Sequence, residues 1–94
     1  MFVRRRGSAK RRRRLYEALD FLYSPDLSVK EISSFLGNLG KVECIKEYNI
    51  IHDIWIETRD GRKIGPGQFL LKDDRRKRIL SFDPTIFYDW FEIV

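Results

Sequence analysis

A strand followed by a tight turn constrains this fold most. Side chains alternate from Ile50 to Arg59: one set faces one way (Ile50, His52, Ile54, Ile56), and the other faces the opposite way (Ile51, Asp53, Trp55, Glu57). This alternation is typical of a β-strand, because successive side chains point to opposite faces of a sheet. Asp60-Gly61 follows, and this pair is preferred in two-residue hairpin turns. The chain is therefore predicted to contain an antiparallel hairpin that returns over Arg62–Gly65.

A second hairpin and a helix are predicted after it. Gly65-Pro66-Gly67 interrupts the pairing, since proline cannot donate a ladder hydrogen bond. Gln68–Lys72 and Arg76–Phe82 then indicate two strands that turn at Asp73-Asp74. Asp83-Pro84 indicates an N-cap with proline at the first helical position. The helix that follows is strongly apolar, with Ile86, Phe87, Trp90, Phe91 and Ile93.

Ser28–Gly37 predicts a short helix with a defined start and end. Ser28 and Glu31 have the spacing of a capping box. Val29, Ile32 and Leu36 recur at helical spacing beside Phe35, and Gly37 suits the left-handed position after a helix.

This decamer resembles the second helix of winged helix-turn-helix DNA-binding domains, in which a turn and a recognition helix follow. The resemblance is strong over these ten residues and looser over Leu15–Gly65. It implies that Lys41–Tyr48 approaches the major groove and that the hairpin tip at Asp60-Gly61 is a wing.

Lys41–Asn49 can be interpreted in two ways. As a helix, it places Val42, Ile45 and Asn49 on one face; as a strand, it places Val42, Cys44 and Tyr48 on one face. The winged-helix interpretation requires the helix. Glu43 and Glu47 count against it, since recognition helices are usually more basic. A strand here would favour an RNA-binding protein.

An earlier helix is predicted over the segment that begins at Leu15. Leu15, Ala18, Leu19 and Leu22 recur at the spacing of one helix face, and Ser24-Pro25-Asp26 ends the segment. The predicted fold is a small single α+β domain over residues 15–94. It has N-terminal helices, antiparallel β-hairpins and a C-terminal helix, and it is winged-helix-like.

Positive charge is concentrated at the N-terminus. Residues 1–14 carry eight Lys/Arg and no acid, whereas residues 15–94 carry eleven Lys/Arg and fourteen Asp/Glu, a net charge of −3. Like charges repel, so residues 1–14 are predicted to be a disordered basic arm that binds a polyanion. A solubilising or targeting role is the alternative.

The predicted nucleic-acid contacts fall in four groups. They are the arm (Arg4, Arg5, Arg6, Lys10, Arg11, Arg12, Arg13, Arg14), the ambiguous segment (Lys41, Lys46), the first hairpin tip (Arg59, Arg62, Lys63) and the second hairpin turn (Arg75, Arg76, Lys77, Arg78). Each hairpin group alone is also typical of ordinary surface. Together with the arm, they could form one basic face.

The sequence contains few residues that could form a catalytic or metal site. Cys44 and His52 are the only cysteine and histidine, so neither a zinc site nor a Cys-His dyad is expected. Asp53 and Glu57 lie about 13 Å apart along one strand, too far to share an ion. His52 is expected to point inward. We predict no enzyme, no metal and no cofactor.

The expected partner is nucleic acid, with duplex DNA first and a transcription regulator as the role. A ribosomal protein or other RNA-binding ribonucleoprotein component is the alternative. The aromatic C-terminus fills the core or forms a homodimer surface through Phe87, Trp90 and Phe91. One cysteine excludes an internal disulfide and agrees with an intracellular location, in the cytoplasm or nucleoid. No apolar run is long enough to span a membrane.

Overall fold

A computed structural model describes residues 1–7, 14–21 and 29–94 of this protein. They form a small α+β domain with two helices and antiparallel sheets, as the sequence predicts. The elements in chain order are β1 (Phe2–Arg5), β2 (Tyr16–Phe21), α1 (Val29–Leu36), β3 (Gly40–Glu47), β4 (Ile50–Thr58), β5 (Lys63–Ile64), β6 (Gln68–Asp73), β7 (Arg78–Phe82), α2 (Pro84–Trp90) and β8 (Phe91–Ile93).

The strands form two sheets. The five-stranded sheet has the order β7-β6-β2-β1-β8, and the three-stranded sheet has the order β3-β4-β5. All strand pairs are antiparallel. The first and last strands of the chain are neighbours, because Val3 pairs with Ile93 and Arg5 with Phe91.

The five-stranded sheet separates two hydrophobic cores. One lies between this sheet, α1 and the three-stranded sheet (Phe21, Ile32, Phe35, Leu36, Leu39, Ile56, Ile64, Leu70, Ile79). The other lies under α2 (Val3, Ala18, Phe69, Leu71, Phe87, Phe91). Both faces of the sheet are therefore needed for stability.

Helix α1 forms where the sequence predicts it. Ile32, Phe35 and Leu36 are buried, as their helical spacing requires. Gly37 follows with φ of 56°, the left-handed conformation that ends many helices. The proposed capping box cannot be assessed, because Ser28 lies outside the described residues.

The helix predicted from Leu15 is wrong, because residues 16–21 form strand β2. This strand is central, between β6 and β1, and it is apolar on both faces. Leu19 and Phe21 face the core under α1, while Ala18 faces the core under α2. Apolar residues on both faces removed the alternation that would have indicated a strand. Leu22 and Ser24-Pro25-Asp26 lie outside the described residues.

The prediction of a disordered arm is also wrong where the structure describes it. Phe2–Arg5 is strand β1, which pairs with β2 on one side and β8 on the other. Val3 is fully buried in the core under α2. Pairing and this one apolar side chain outweigh the charge repulsion among the neighbouring arginines. Lys10, Arg11, Arg12 and Arg13 lie outside the described residues.

The ambiguous segment is a strand, so the recognition helix required by the winged-helix interpretation does not form there. Strand β3 pairs with β4 along its whole length, with one irregularity between Ile45 and Lys46. The connection is a tight turn, and Tyr48 and Asn49 have φ of 52° and 62°. Two left-handed central residues are what a type I′ hairpin turn requires.

The C-terminal helix begins at Pro84, as predicted, but it ends at Trp90. Phe91–Ile93 continues as β8, because the edge of β1 offers it backbone hydrogen bonds. Phe87 and Phe91 are buried, and the Phe87 ring stacks on Phe69 with centroids 4.2 Å apart. These two rings therefore belong to the core and cannot form the predicted homodimer surface, whereas Trp90 is exposed.

Candidate nucleic-acid interface

A buried carboxylate organises the turn between β6 and β7. Asp73 lies 3.4 Å from a terminal nitrogen of Arg14 and 3.6 Å from Nε of Arg78. The backbone N–H of Arg76 also donates to it, at 3.3 Å. Asp73 thus holds the start of β2 against the turn and fixes two of the predicted arginines beside each other.

The turn itself presents three further cations. Arg75, Arg76 and Lys77 are exposed, and within the described ranges none of them forms an ion pair. We call Arg14, Arg75, Arg76, Lys77 and Arg78 the basic loop cluster. Its five cations outnumber the two neighbouring carboxylates, Asp73 and Asp74, which leaves a net charge of +3. Such an excess on one loop attracts phosphate groups.

A second basic group lies where β1 ends. Arg4 pairs with Glu92 at 2.6 Å, across the β1–β8 ladder. Arg5 lies over the ring of Trp90, 5.8 Å from its centroid. The Nε of Arg6 donates to the carbonyl of Tyr88 at 2.7 Å. We call Arg4, Arg5, Arg6 and Trp90 the Arg-Trp cluster.

The chain itself connects these two groups. Gly7 follows the Arg-Trp cluster, Arg14 belongs to the basic loop cluster, and the residues between them include Lys10 and Arg11–Arg13. The described residues on both sides of this gap are therefore basic. The prediction of a free arm is wrong for Phe2–Arg5, while residues 8–13 lie outside the described residues.

The first hairpin tip is anchored to the domain. The Nε of Arg62 donates to both carboxylate oxygens of Asp60, at 3.0 and 3.2 Å, and a terminal nitrogen of Arg62 donates to the backbone carbonyl of Ile79 in β7. Lys63 lies over the Trp55 ring, 4.4 Å from its centroid. Arg59 is exposed and forms no ion pair with the described part of the chain. The tip thus mainly stabilises the fold, and Arg59 is the cation of the tip that is most available to a ligand.

We expect Arg62→Ala to lower the free energy of unfolding by about 1 kcal/mol, because it removes charge-assisted hydrogen bonds that join the hairpin to β7. Arg59→Ala removes the same charge from the same turn and should change stability little. Denaturant unfolding of both variants measures the difference. Equal unfolding midpoints for the two variants would contradict this stabilising role of Arg62.

Asp60 gives the hairpin a predictable response to acid. The Thr58 hydroxyl donates to its carboxylate, and this bond, followed by the Arg62 guanidinium, lowers the pKa of Asp60 below the ordinary 3.8. The stability that the ionised Asp60 contributes to the fold is complete above pH 3.8 and is lost as the pH falls through the lowered pKa. In Asp60→Asn, we expect this part of the acid sensitivity to disappear. Unfolding titrations at neutral pH and well below that value measure it, and identical acid dependence in both proteins would contradict it.

The two predicted nucleic-acid contacts on β3, Lys41 and Lys46, have acidic neighbours, unlike the exposed cations of the β6–β7 turn. Lys41 lies 3.3 Å from Glu43 and 3.4 Å from Glu57, and these two carboxylates raise its pKa. Its charge is therefore already compensated. Lys46 is exposed and has no ion-pair partner among residues 1–7, 14–21 and 29–94, but Glu47 follows it directly.

The other candidate groups do not form a site. His52 is exposed rather than inward, 3.5 Å from Glu47, because the irregularity in the β3–β4 register skips His52 and interrupts the alternation of β4. Cys44 is half-buried and unpaired. In the part of the chain that the structure covers, no three His, Cys, Asp or Glu side chains could hold a metal ion together. None of the described helices is long and apolar enough to cross a membrane.

Sequence reasoning missed the role of Trp90. It treated this ring as one of a set with Phe87 and Phe91, because all three lie on one apolar stretch. Nothing in the sequence marks this difference, because the helix is predicted to continue through Ile93, whereas Phe91 begins β8. The pairing of β8 with the arginine-rich β1 then places Trp90 beside Arg5.

Comparison with known proteins adds no relative. No protein-family model, curated protein or solved structure matches this chain. The function must therefore be argued from the arrangement of charges, rings and backbone described above.

Proposed function

We propose that this protein binds nucleic acid, and RNA in preference to duplex DNA, through the basic loop cluster and the Arg-Trp cluster. The observation that carries the proposal is the set of exposed cations Arg75, Arg76 and Lys77, held beside Arg14 by Asp73. Neutralising phosphates with such side chains releases counterions and favours binding.

The charge of the remaining surface supports a localised interface. Lys41 is compensated by two glutamates, and Arg62 by Asp60. A polyanion would therefore meet its least opposed positive charge at the β6–β7 turn, whereas at the end of β1 Arg4 is paired with Glu92 and Arg6 is exposed. The sequence between Gly7 and Arg14 contains four further cations, Lys10 and Arg11–Arg13, which lie outside the described residues.

The backbone favours RNA over duplex DNA. Reading the major groove usually takes a helix or a two-stranded ribbon with basic side chains. Lys41–Glu47 is a strand whose outward residues include glutamates, and α1 carries Lys30 and Glu31 on its exposed side. Cationic loops beside an exposed aromatic ring instead suit structured or single-stranded RNA. A ribonucleoprotein component inside the cell, without catalytic activity, is the role that we infer.

A DNA-binding transcription regulator is the alternative, and α1 and the β4–β5 hairpin are its remaining support. The two functions are separable by competition. We expect a fluorescently labelled RNA stem-loop with an unpaired loop to be displaced by unlabelled RNA at lower concentration than by duplex DNA of equal length. Preference for the duplex would favour the regulator, and the absence of salt-sensitive binding to either would contradict both.

A further inference from the structure

Trp90 is the last residue of α2. It is exposed by 51% and Tyr88 by 48%, whereas Phe87 is fully buried. Tyr88 packs edge-on against Phe69 and Phe87, while Trp90 has Arg5 over its ring. Arg5 is the last residue of β1, and Arg6, which follows it, binds the backbone at the end of α2. We propose that the Trp90 ring stacks on an unpaired base of RNA while Arg6 binds the adjoining phosphate, an inference that rests on the proposed function.

The backbone around Trp90 is fixed before any ligand arrives. The N–H of Arg6 donates to the Trp90 carbonyl at 2.8 Å, and its Nε donates to the Tyr88 carbonyl at 2.7 Å. These bonds satisfy carbonyls at the end of α2 that have no partner within the helix. The Phe82 ring also contacts the indole, with centroids 6.0 Å apart. Little conformational freedom is therefore lost when a base stacks on it.

Arg6 keeps the capacity to bind phosphate. The bond to Tyr88 uses one of the five N–H donors of the Arg6 guanidinium, whose side chain is exposed. Arg5 lies 5.8 Å from the Trp90 centroid, close to the outer limit of about 6 Å for a cation–π contact. This contact is weak enough for a base to take its place on the ring.

The second tryptophan shows why the site is at Trp90. Trp55 lies on the outer face of the three-stranded sheet, with Lys63 only 4.4 Å above its ring. Its cross-strand neighbour is Glu43, and Asp53 and Glu57 lie two residues away on the same strand face. These carboxylates would repel a phosphate chain, so Trp55 serves as the matched control.

The two tryptophans allow a direct fluorescence test. In Trp55→Phe, Trp90 is the only tryptophan, and we expect a decauridine RNA to quench its emission by about half, since a stacked base quenches an indole. A blunt RNA duplex should quench it little, because its bases are already stacked. In Trp90→Phe, emission from Trp55 should not change with either RNA.

Affinity gives the second readout, measured by anisotropy with labelled RNA. Trp90→Ala should weaken decauridine binding about tenfold and leave duplex binding unchanged. Wild-type affinity of Trp90→Ala for decauridine, together with unquenched Trp90 emission in Trp55→Phe, would overturn the stacking site and leave the proposed function standing. Failure of the wild type to bind either RNA would overturn the proposed function itself, and the stacking site with it.

Discussion

Replacing Arg75, Arg76 and Lys77 with alanine should lower the affinity for single-stranded RNA roughly 50-fold at physiological salt. Each phosphate contact on a single strand contributes about −0.7 to the slope of log affinity against log salt, so three lost contacts flatten that slope by about 2. The three side chains are exposed on the β6–β7 turn and have no ion-pair partner in the described structure, so their removal should not affect the fold.

The matched control removes the same charge elsewhere. Lys30→Ala, Lys41→Ala and Lys46→Ala combined also deletes three cations, on α1 and β3. Because Lys41 is paired with Glu43 and Glu57, this variant should keep a salt slope close to that of the wild type. Salt titrations of the three proteins on one RNA test the prediction. Similar losses in both variants would show that only net charge matters and that the loop is not the interface.

Phe87→Ala should lower the free energy of unfolding by about 3–5 kcal/mol. Phe87 is fully buried, stacks on Phe69 at 4.2 Å and contacts Phe91 at 5.4 Å. Its removal leaves a cavity under α2 in a core of only six buried residues. Domains of this size have a total stability of about 5–15 kcal/mol, so this one substitution removes a large share of the free energy of unfolding.

Ile86→Ala is the control for this substitution, since Ile86 lies beside Phe87 on α2 but is 42% exposed. Ile86→Ala should lower the free energy of unfolding by less than about 1 kcal/mol. Urea unfolding followed by circular dichroism measures both variants. A cost for Phe87→Ala no larger than that for Ile86→Ala would contradict the second core and the placement of α2.

Local signals in the sequence predicted several elements correctly. The strand from Ile50, a hairpin turn that contains Asp60-Gly61, the second hairpin and the start of α2 at Pro84 all depend on neighbouring residues, and all are present. The details differ, because the first turn has three residues (59–61), the second turn is formed by residues 74–77 rather than by Asp73-Asp74, and the alternation of β4 is interrupted at His52. The spacing of Ile32 and Leu36 likewise placed α1 correctly. These patterns hold because the physical cause, which is a turn, a cap or one buried face, lies within the same segment.

The remaining strands depend on partners distant in sequence. Strand β1 exists because its backbone pairs with both β2 and β8, and nothing around Val3 indicates those partners. Strand β2 is buried on both faces, so its apolar residues imitate helical spacing. The Tyr48-Asn49 turn lacks glycine, although both residues are left-handed. The arrangement of the basic residues around Asp73 and Trp90 therefore could not be predicted from the sequence.

The central claim is that RNA binds at the β6–β7 turn and at the end of β1. The most direct test is to follow backbone amide shifts in the full chain by NMR while a single-stranded RNA is added. We expect the largest changes at Arg5–Gly7, Arg14–Tyr16, Arg75–Arg78 and Trp90, with little change on the three-stranded sheet. Shifts confined to Lys41–Glu47 or to the Tyr48-Asn49 turn would contradict this account.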